Sequence, residues 1–472
     1  MPDLANKRVL VLGLGGRGRA ACELLRRCGA VVTAVDSADT PALREDAEAL
    51  RALGVEVALG VATPPAGDFS LAINSPAVPL NSQLARAVVQ RHLPLVSELE
   101  LGFQQAKCLS IAIAGTNGKG TTAELIECAL AANHRQAIVC GQGARPICSV
   151  ADQTKDLDFL VLQVNSFQLE TTQFFRPSVA VLLNLAPDHL DRYASGADYA
   201  RASARLFHNQ QAFDWAIVQS EALARLRELH LPVPARTITF SAFDQTADLH
   251  LDRGLLLSRL PNWSGPLLDI DHCRLRGPHN AENLMAALAV GHVLRLPLET
   301  MLEPMKGYSA GPHRFESMAT IDGVEFINDS KATNVDALDK ALRSVRSGMG
   351  GEANIWLIAG GRDKGLEFHD VGPLLSKRVK RAFLIGEAAE KIRSAWTLFI
   401  PCTMSESLLE AVSEAAKQAA PGDVILFSPA CSSFDQFRNY QERGESFCHA
   451  VKSIRGGAGS QTPNIQRRTV MI

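Results

Sequence analysis

Residues 111–125 read IAIAGTNGKGTTAEL, and this stretch decides the fold of the chain. A short apolar run ends at Gly115, and a turn that contains Gly118 and Lys119 follows it. Gly118 lets the backbone approach a ligand closely, and Lys119 supplies a mobile positive charge. A helix beginning near Thr121 would direct its N–H groups and its dipole at the same point. The order strand, loop, lysine, helix predicts a nucleotide triphosphate site rather than a simple glycine-rich turn.

One position of this loop is unusual. The common form of the motif carries Ser or Thr directly after the lysine, where the hydroxyl contacts magnesium. Here Gly120 occupies that position, and Thr121 and Thr122 follow it. The loop therefore predicts phosphate binding with an altered arrangement around the metal.

Composition limits the class of protein. A length of 472 residues suits two to four domains, and 46% hydrophobic with 21% charged residues is typical of a soluble globular enzyme. A net charge of -2 gives no indication of a nucleic-acid partner. The sequence shows no signal-peptide pattern and no apolar run that would cross a bilayer. Ten cysteines without metal spacing are expected to be buried, reduced thiols, so we expect a cytoplasmic location.

The chain alternates predicted strands and helices, which indicates an α/β fold with mostly parallel sheets. The first segment has strands at 9–12, 31–35 and 71–74 and a helix at 17–28. The second has strands at 159–164 and 179–183, an antiparallel patch within 249–275 and a helix at 280–294. The third has strands at 326–327, 354–358, 381–385 and 424–428. We expect a joint near 102–107 and domains at 1–103, 104–311 and 312–455, followed by a disordered tail at 456–472.

A second glycine-rich turn follows the first strand. Gly13, Gly15 and Gly18 form GLGGRG, and Asp36 ends the second strand. Taken alone, this pattern is a dinucleotide fingerprint and leaves an NAD-linked oxidoreductase open. Arg17 lies inside the turn, where it either meets a phosphate or is solvated.

Several polar clusters follow predicted strands, at the edge where parallel sheets bind ligands. Arg314 can clamp a phosphate or carboxylate with two hydrogen bonds, whereas Lys364 faces a ligand or is a solvated turn lysine. His189 is a metal or phosphate ligand or an edge histidine. Cys431 is a weaker nucleophile candidate, because no histidine stands in a recognisable partner motif. Asn280 is a candidate cap of its helix, whereas Asn283, one turn further on, can face a base.

Eight motifs occur in order across nearly the whole chain: GTNGK, NSFQLETT, DHLDRY, GPHNAEN, PHRFE, NDSKATN, GGRDKG and SPACSSFDQFRNYQERG. Together they resemble the Mur ligases of peptidoglycan synthesis. The resemblance implies a Rossmann-like domain for a UDP-sugar, a central phosphate-loop ATPase domain and a C-terminal Rossmann-like domain. It also implies that the N-terminal fingerprint holds UDP rather than NAD.

The resemblance further implies an ATP-dependent ligase that joins D-glutamate to UDP-N-acetylmuramoyl-L-alanine through an acyl phosphate. It implies ATP and Mg²⁺ as cofactors, with Mn²⁺ as an alternative cation, and small molecules as the partners. We expect a monomer without nucleic-acid binding or membrane insertion.

The implied site residues fall into five groups. The catalytic residues are Lys119, His189, Arg314 and Lys364. ATP is held by Gly115, Thr116, Asn117, Gly118, Lys119, Gly120, Thr121, Asn283, Arg314 and Asp329. The UDP substrate is held by Gly15, Arg17, Asp36, Ser37, Ser75, Ala77 and Gln142. Glutamate is held by Lys331, Thr333, Lys364, Ser433 and Tyr440. The metal is held by Thr121, Gln163 and His189.

Four positions depart from the family pattern. Gly120 lacks the loop hydroxyl, and Gln142 stands in place of an asparagine. Gln163 replaces a metal-binding glutamate, and Ser203 replaces a lysine that the family carbamylates. The last two changes remove two negative charges from the cation site, although an amide oxygen can still contact Mg²⁺. They leave a second hypothesis open, namely a weakly or non-catalytic homologue that binds UDP-sugar or nucleotide.

Overall fold

The computed structural model describes residues 4–143, 145–348 and 351–455. The chain divides into two compact units, Met1–Ser309 and Ala310–Ile472. The expected disordered tail at 456–472 lies outside the described residues. In the described ranges no helix is both long and apolar enough to span a membrane. All ten cysteines are described and none forms a disulfide; five are buried and five half-buried.

The first unit begins with a five-stranded parallel sheet in the order β3-β2-β1-β4-β5. Its strands are β1 Arg8–Leu12, β2 Val31–Val35, β3 Glu56–Ala58, β4 Leu71–Asn74 and β5 Leu95–Ser97. Its helices are α1 Gly16–Arg27, α2 Pro41–Ala52, α3 Gln83–Gln90 and α4 Glu98–Gln105. Apolar residues cover both sheet faces, which is why the strands read as continuous hydrophobic runs.

The glycine pattern of the first turn has a packing cause. A Cβ on Gly18 would lie 1.8 Å from the Gly13 carbonyl oxygen, so only glycine lets α1 pack this closely on the end of β1. The predicted joint at 102–107 coincides with the end of α4, which continues through Gln105. Gly102 is buried in that helix, and a Cβ there would lie 2.6 Å from Ile147.

The first unit also contains a nine-stranded sheet in the order β14-β13-β12-β11-β10-β9-β6-β8-β7. Its strands are β6 Leu109–Ala114, β7 Ala137–Gly141, β8 Phe159–Gln163, β9 Val179–Leu182, β10 Trp215–Gln219, β11 Arg236–Ser241, β12 Leu249–Asp252, β13 Leu255–Ser258 and β14 Gly265–Asp269. Its helices are α5 Lys119–Ala132, α6 Ser166–Leu169, α7 Gly196–Ala204, α8 Ser220–Glu228, α9 Pro278–Val293 and α10 Leu298–Gly307. The predicted antiparallel patch is confirmed as β12–β14, and β12 joins it to the parallel part through β11.

Buried polar contacts connect the two sheets of the first unit. The Glu100 carboxylate accepts the backbone N–H groups of Gln173 at 2.9 Å and Phe175 at 3.0 Å. Arg192 donates to the Pro76 carbonyl at 2.7 Å, and its guanidinium lies over the Phe167 ring. The Glu100 bonds fix α4 against the segment before β9, and the Arg192 bond fixes the turn after β4 against the segment that follows β9.

The second unit is built on a six-stranded sheet in the order β15-β16-β20-β17-β18-β19. Its strands are β15 Glu316–Ile321, β16 Val324–Asn328, β17 Ile355–Gly360, β18 Val379–Ile385, β19 Cys402–Met404 and β20 Val424–Phe427. Its helices are α11 Val335–Ser344, α12 Gly372–Arg378, α13 Ala389–Trp396, α14 Leu408–Gln418 and α15 Tyr440–Arg455. Among the described strands of this sheet, only the β15–β16 pair is antiparallel. The predicted α/β fold with mostly parallel sheets is confirmed.

Candidate active site

A cavity of about 420 Å³ opens at the carboxyl edge of the first sheet. Four of the predicted UDP-substrate residues line it, namely Gly15, Asp36, Ser37 and Ala77. Ser75 lies buried beside it, where its N–H donates to the Leu12 carbonyl at 2.9 Å. The cavity occupies the position where open parallel sheets bind ligands, because the carboxyl ends of the strands diverge there.

The Asp36 carboxylate is held by the backbone on both sides. It accepts the N–H of Leu14 at 2.7 Å and the N–H of Ala38 at 2.9 Å. Asp36 therefore fixes the glycine-rich turn relative to the end of β2. This role accounts for an acidic residue at that position without a nicotinamide cofactor.

Arg17 and Gln142 lie outside the residues that line this cavity. Arg17 is half-buried and donates to the Gly141 carbonyl at 3.2 Å, so the interpretation as a solvated residue was wrong. Burial lowers the pKa of its guanidinium, and the charge of Glu98 opposes that shift. The Gln142 N–H donates to the Gln163 carbonyl at 2.7 Å. Gln142 and Gln163, two of the four positions that depart from the family pattern, are thus neighbours at the carboxyl ends of β7 and β8.

The phosphate loop lies between β6 and α5. The helix begins at Lys119, two residues earlier than predicted, because Gly118 adopts a φ of 92° and acts as the N-cap. A Cβ on Gly118 would lie 2.4 Å from Asn283 Oδ1, so both the backbone conformation and the available space require glycine. The Lys119 ammonium donates to the Thr116 carbonyl at 3.1 Å and to the Gly115 carbonyl. The amine therefore lies over the loop that precedes it.

Asn184 holds this loop in place, although its role was missed in the sequence. Its Oδ1 accepts the Asn117 N–H at 2.9 Å, and its Nδ2 donates to the Asn117 carbonyl at 3.0 Å. The Thr116 hydroxyl donates to the Ala186 carbonyl at 2.9 Å and lies 3.0 Å from the Tyr199 hydroxyl. The position of Asn184 directly after a buried strand was the available signal.

Asn283 contacts the first turns of α5 from the neighbouring helix α9. Its Oδ1 accepts the Thr122 hydroxyl at 3.1 Å, and its Nδ2 donates to Asn280 Oδ1 at 3.1 Å. Asn280 donates to the Arg276 carbonyl at 2.8 Å, and Gly277 is the helix N-cap. The prediction that Asn280 caps this helix was therefore wrong.

The predicted metal residues offer few charged ligands. Gln163 is buried at the end of β8, and Ser203 is buried on α7. His189 Nε2 lies 3.7 Å from Asp188 Oδ2, and its ring packs on Phe167. Across 4–143, 145–348 and 351–455, no three or more His, Cys, Asp or Glu side chains are grouped to hold a metal. A site with so few charged ligands fits a Mg²⁺ ion that takes most of its ligands from nucleotide phosphates and water.

In the second unit, Asp329 follows β16 and joins two strand ends. It accepts the Ser428 hydroxyl at 3.0 Å and the Phe315 N–H at 3.0 Å, beside Arg314. Burial raises the pKa of Asp329 to about 7, although these hydrogen bonds and the charge of Arg443 act in the opposite direction. This carboxyl group is therefore partly protonated near neutral pH.

Four of the predicted glutamate residues lie on loops at one edge of the second unit's sheet, and the fifth, Tyr440, begins α15. Lys331 Nζ lies 3.8 Å from the centre of the Tyr440 ring, which is a cation–π contact. Arg362 and Ser432 exchange backbone hydrogen bonds of 2.9 and 3.1 Å, so the loops that carry Lys364 and Ser433 run side by side. Thr333 directly precedes the N-cap of α11, Asn334.

Cys431 lies on the same loop but does not support a nucleophilic role. Its side chain is fully buried, and burial raises the pKa of its thiol to about 12. A thiol in this state is not ionised at neutral pH, so the nucleophile interpretation is disfavoured.

Three mostly parallel sheets with a phosphate loop at the carboxyl edge of the middle one define a multidomain α/β protein of the phosphate-loop class. The family profile described as Mur ligase middle domain matches residues 113–291. The profile described as Mur ligase, glutamate ligase domain, matches residues 313–431. The chain belongs to the Mur ligase family.

Relatives from several bacteria match over nearly the whole chain. The UDP-N-acetylmuramoylalanine–D-glutamate ligase of Acidobacterium capsulatum is 38% identical over 97% of this chain and 99% of its own. The enzyme of the same name from Geotalea uraniireducens is 37% identical over 97% and 100%.

Solved structures support the fold. MurF ligase from Thermotoga maritima in complex with ADP is 15% identical and superimposes with a TM-score of 0.62 over 97% of this chain and 100% of its own. The UDP-N-acetylmuramate–alanine ligase of the same organism is 18% identical, with a TM-score of 0.59 over 95% and 99%. At such low identity these similarities concern the fold alone.

Proposed function

We propose that this protein is an ATP-dependent ligase that joins D-glutamate to UDP-N-acetylmuramoyl-L-alanine in peptidoglycan precursor synthesis. The observation that carries the proposal is the 38% identity to a ligase of that name over 97% of this chain, which spans all three sheets. The D configuration is taken from the names of the relatives.

In the first step, the substrate carboxylate attacks the γ-phosphorus of ATP, an acyl phosphate forms and ADP leaves. Lys119 and the amides of Gly115–Thr121 hold the phosphates, and Asn283, Arg314 and Asp329 contact the nucleotide. Neutralisation and alignment are the main requirements of such a step. The position of the Lys119 ammonium over the loop and the first turn of α5 supports this part of the proposal.

In the second step, the glutamate amine attacks the acyl carbonyl, loses a proton and displaces inorganic phosphate. Lys331, Thr333, Lys364, Ser433 and the backbone of Tyr440 form the glutamate pocket. Two lysines with a hydroxyl group suit the two carboxylates of this amino acid. His189, Arg314, Lys364 and Lys119 are the proposed catalytic residues.

The UDP moiety occupies the 420 Å³ cavity, with Gly15, Asp36, Ser37 and Ala77 in its wall and Arg17, Ser75 and Gln142 nearby. The UDP-sugar domain is 1–103, the ATP-binding domain is 104–311 and the glutamate-binding domain is 312–455. The protein acts as a monomer. The residues that would hold Mg²⁺ or Mn²⁺ are Thr121, Gln163 and His189. The bound cation would neutralise phosphate charge during transfer.

The test is ADP release coupled to product mass, with full-length protein, UDP-N-acetylmuramoyl-L-alanine and D- or L-glutamate over a Mg²⁺ and Mn²⁺ series. We expect turnover that requires both the UDP substrate and D-glutamate. Binding of the UDP substrate without ADP release would support the non-catalytic alternative. No observation on the fold or the relatives favours that alternative at present.

A further inference from the structure

Arg443 is an unusual residue of the second unit because its charge is buried. Its side chain is 1% exposed, and among the described residues no carboxylate forms an ion pair with it. Burial lowers the pKa of its guanidinium to about 10. The charges of Asp435 and Asp329 act against that shift, but neither carboxylate pairs directly with the guanidinium. A buried charge without a direct ion pair is costly, so its hydrogen bonds have to offset part of that cost.

The guanidinium donates to two different loops. Nη2 donates to the Ser330 carbonyl at 2.7 Å, and Nε donates to the Ser330 hydroxyl at 3.1 Å. Nη1 donates to the Cys431 carbonyl at 3.0 Å. The planar guanidinium of arginine can donate hydrogen bonds to acceptors in several fixed directions at once. The single ammonium group of lysine cannot reproduce this arrangement of donors.

A third loop approaches the same guanidinium. A Cβ on Gly361 would lie 3.1 Å from Arg443 Nη1 and 2.4 Å from the Ser432 carbonyl oxygen, and Gly361 has a φ of 137°. The loop that carries Lys364 therefore packs against the arginine and the adjacent loop because residue 361 is glycine.

The Ser330 hydroxyl extends these contacts to the start of α15. It accepts from Arg443 and donates to the Tyr440 carbonyl at 2.8 Å. Lys331, the next residue, places its ammonium over the Tyr440 ring. Arg443 and Ser330 thus fix the relative positions of the helix start and the lysine.

We infer that Arg443 is a positioning residue for the amino-acid pocket: it holds the loops after β16, β17 and β20 and the start of α15 in one arrangement. The inference rests on the proposed function for the identity of the ligand, glutamate. Arg443 lies beneath the loops and acts through the residues that they carry.

The test compares Arg443→Met and Arg443→Lys in the full chain. We expect both variants to raise the KM for D-glutamate at least tenfold and to leave the KM for UDP-N-acetylmuramoyl-L-alanine within twofold. Amide hydrogen exchange should accelerate in segments 329–333 and 429–433, while strands β17 and β18 stay protected. The control is Arg378→Met, because Arg378 also donates to a backbone carbonyl, that of Val345, but lies just before β18 at the opposite sheet edge. It should leave the KM for glutamate within twofold.

An unchanged KM for glutamate, or full rescue by lysine, would overturn the inference. Uniformly faster exchange across the sheet would also overturn it, because it would indicate general destabilisation. If the wild-type protein forms no product, the proposed function fails. The hydrogen-exchange measurement alone then tests the positioning role of Arg443. Local acceleration in the two segments would then uphold the positioning role, and unchanged exchange would refute it.

Discussion

The Ser428 hydroxyl donates a 3.0 Å hydrogen bond to the Asp329 carboxyl group, across the ends of the neighbouring strands β20 and β16. Burial raises the pKa of that carboxyl group to about 7. In the unfolded chain the same group ionises with a pKa near 3.8. Between these values the folded protein retains a proton that the unfolded chain has lost.

This difference predicts a pH dependence of stability. The free energy of unfolding should fall as pH rises from about 4 to about 7 and then level off, with a total effect of up to about 4 kcal/mol from this group. Asp329→Asn should flatten that part of the profile, because the amide does not ionise. Melting temperatures from pH 4 to pH 8 would measure the effect, with exposed Asp370→Asn as the control. Parallel profiles for wild type and Asp329→Asn would contradict the prediction.

The contact between Gly118 and Asn283 predicts a strict glycine requirement. Gly118→Ala places a Cβ 2.4 Å from Asn283 Oδ1 at a φ of 92°. We expect a loss of about 1–3 kcal/mol of stability from backbone strain alone, together with a strong loss of ATP affinity. Gly307→Ala is the control, since no atom lies within 4 Å of its Cβ position. Denaturant unfolding and calorimetric ATP titration would measure both effects, and normal ATP binding by Gly118→Ala would refute the proposed loop role.

Lys119 is expected to act mainly on phosphate transfer. Lys119→Met should lower kcat by about 10²–10³-fold, because it removes a cation aimed at the transferred group. Binding of the UDP substrate should stay within twofold. Exposed Lys155→Met in the same unit serves as the control. If the Lys119→Met enzyme retains most of its kcat, the transferred phosphate does not lie beside Lys119.

Gln163 offers a direct test of the altered cation site. Gln163→Glu adds a carboxylate at the end of β8, and we expect Mn²⁺ to bind about tenfold more tightly in the presence of a non-hydrolysable ATP analogue. Electron paramagnetic resonance titration would measure this without turnover. Exposed Gln153→Glu should leave the Mn²⁺ affinity unchanged. Equal affinities for wild type and Gln163→Glu would show that position 163 does not contact the cation.

The sequence by itself determined the local features of this protein. Buried apolar runs such as 159–164 predicted parallel strands because both faces of those strands are covered, and glycines at 13, 18 and 118 marked close backbone approaches. Short edge strands such as Glu56–Ala58 and Cys402–Met404 were missed, because three residues carry too little periodicity.

Only the tertiary structure decided which residues support the loops. Asn184 contacts a loop 67 residues away, and Arg443 contacts a residue 113 positions away, so no local pattern could assign their partners. The pKa of Asp329 likewise depends on burial beneath segments distant in sequence. Hydrogen bonding and desolvation act through space, whereas sequence motifs report only neighbours along the chain.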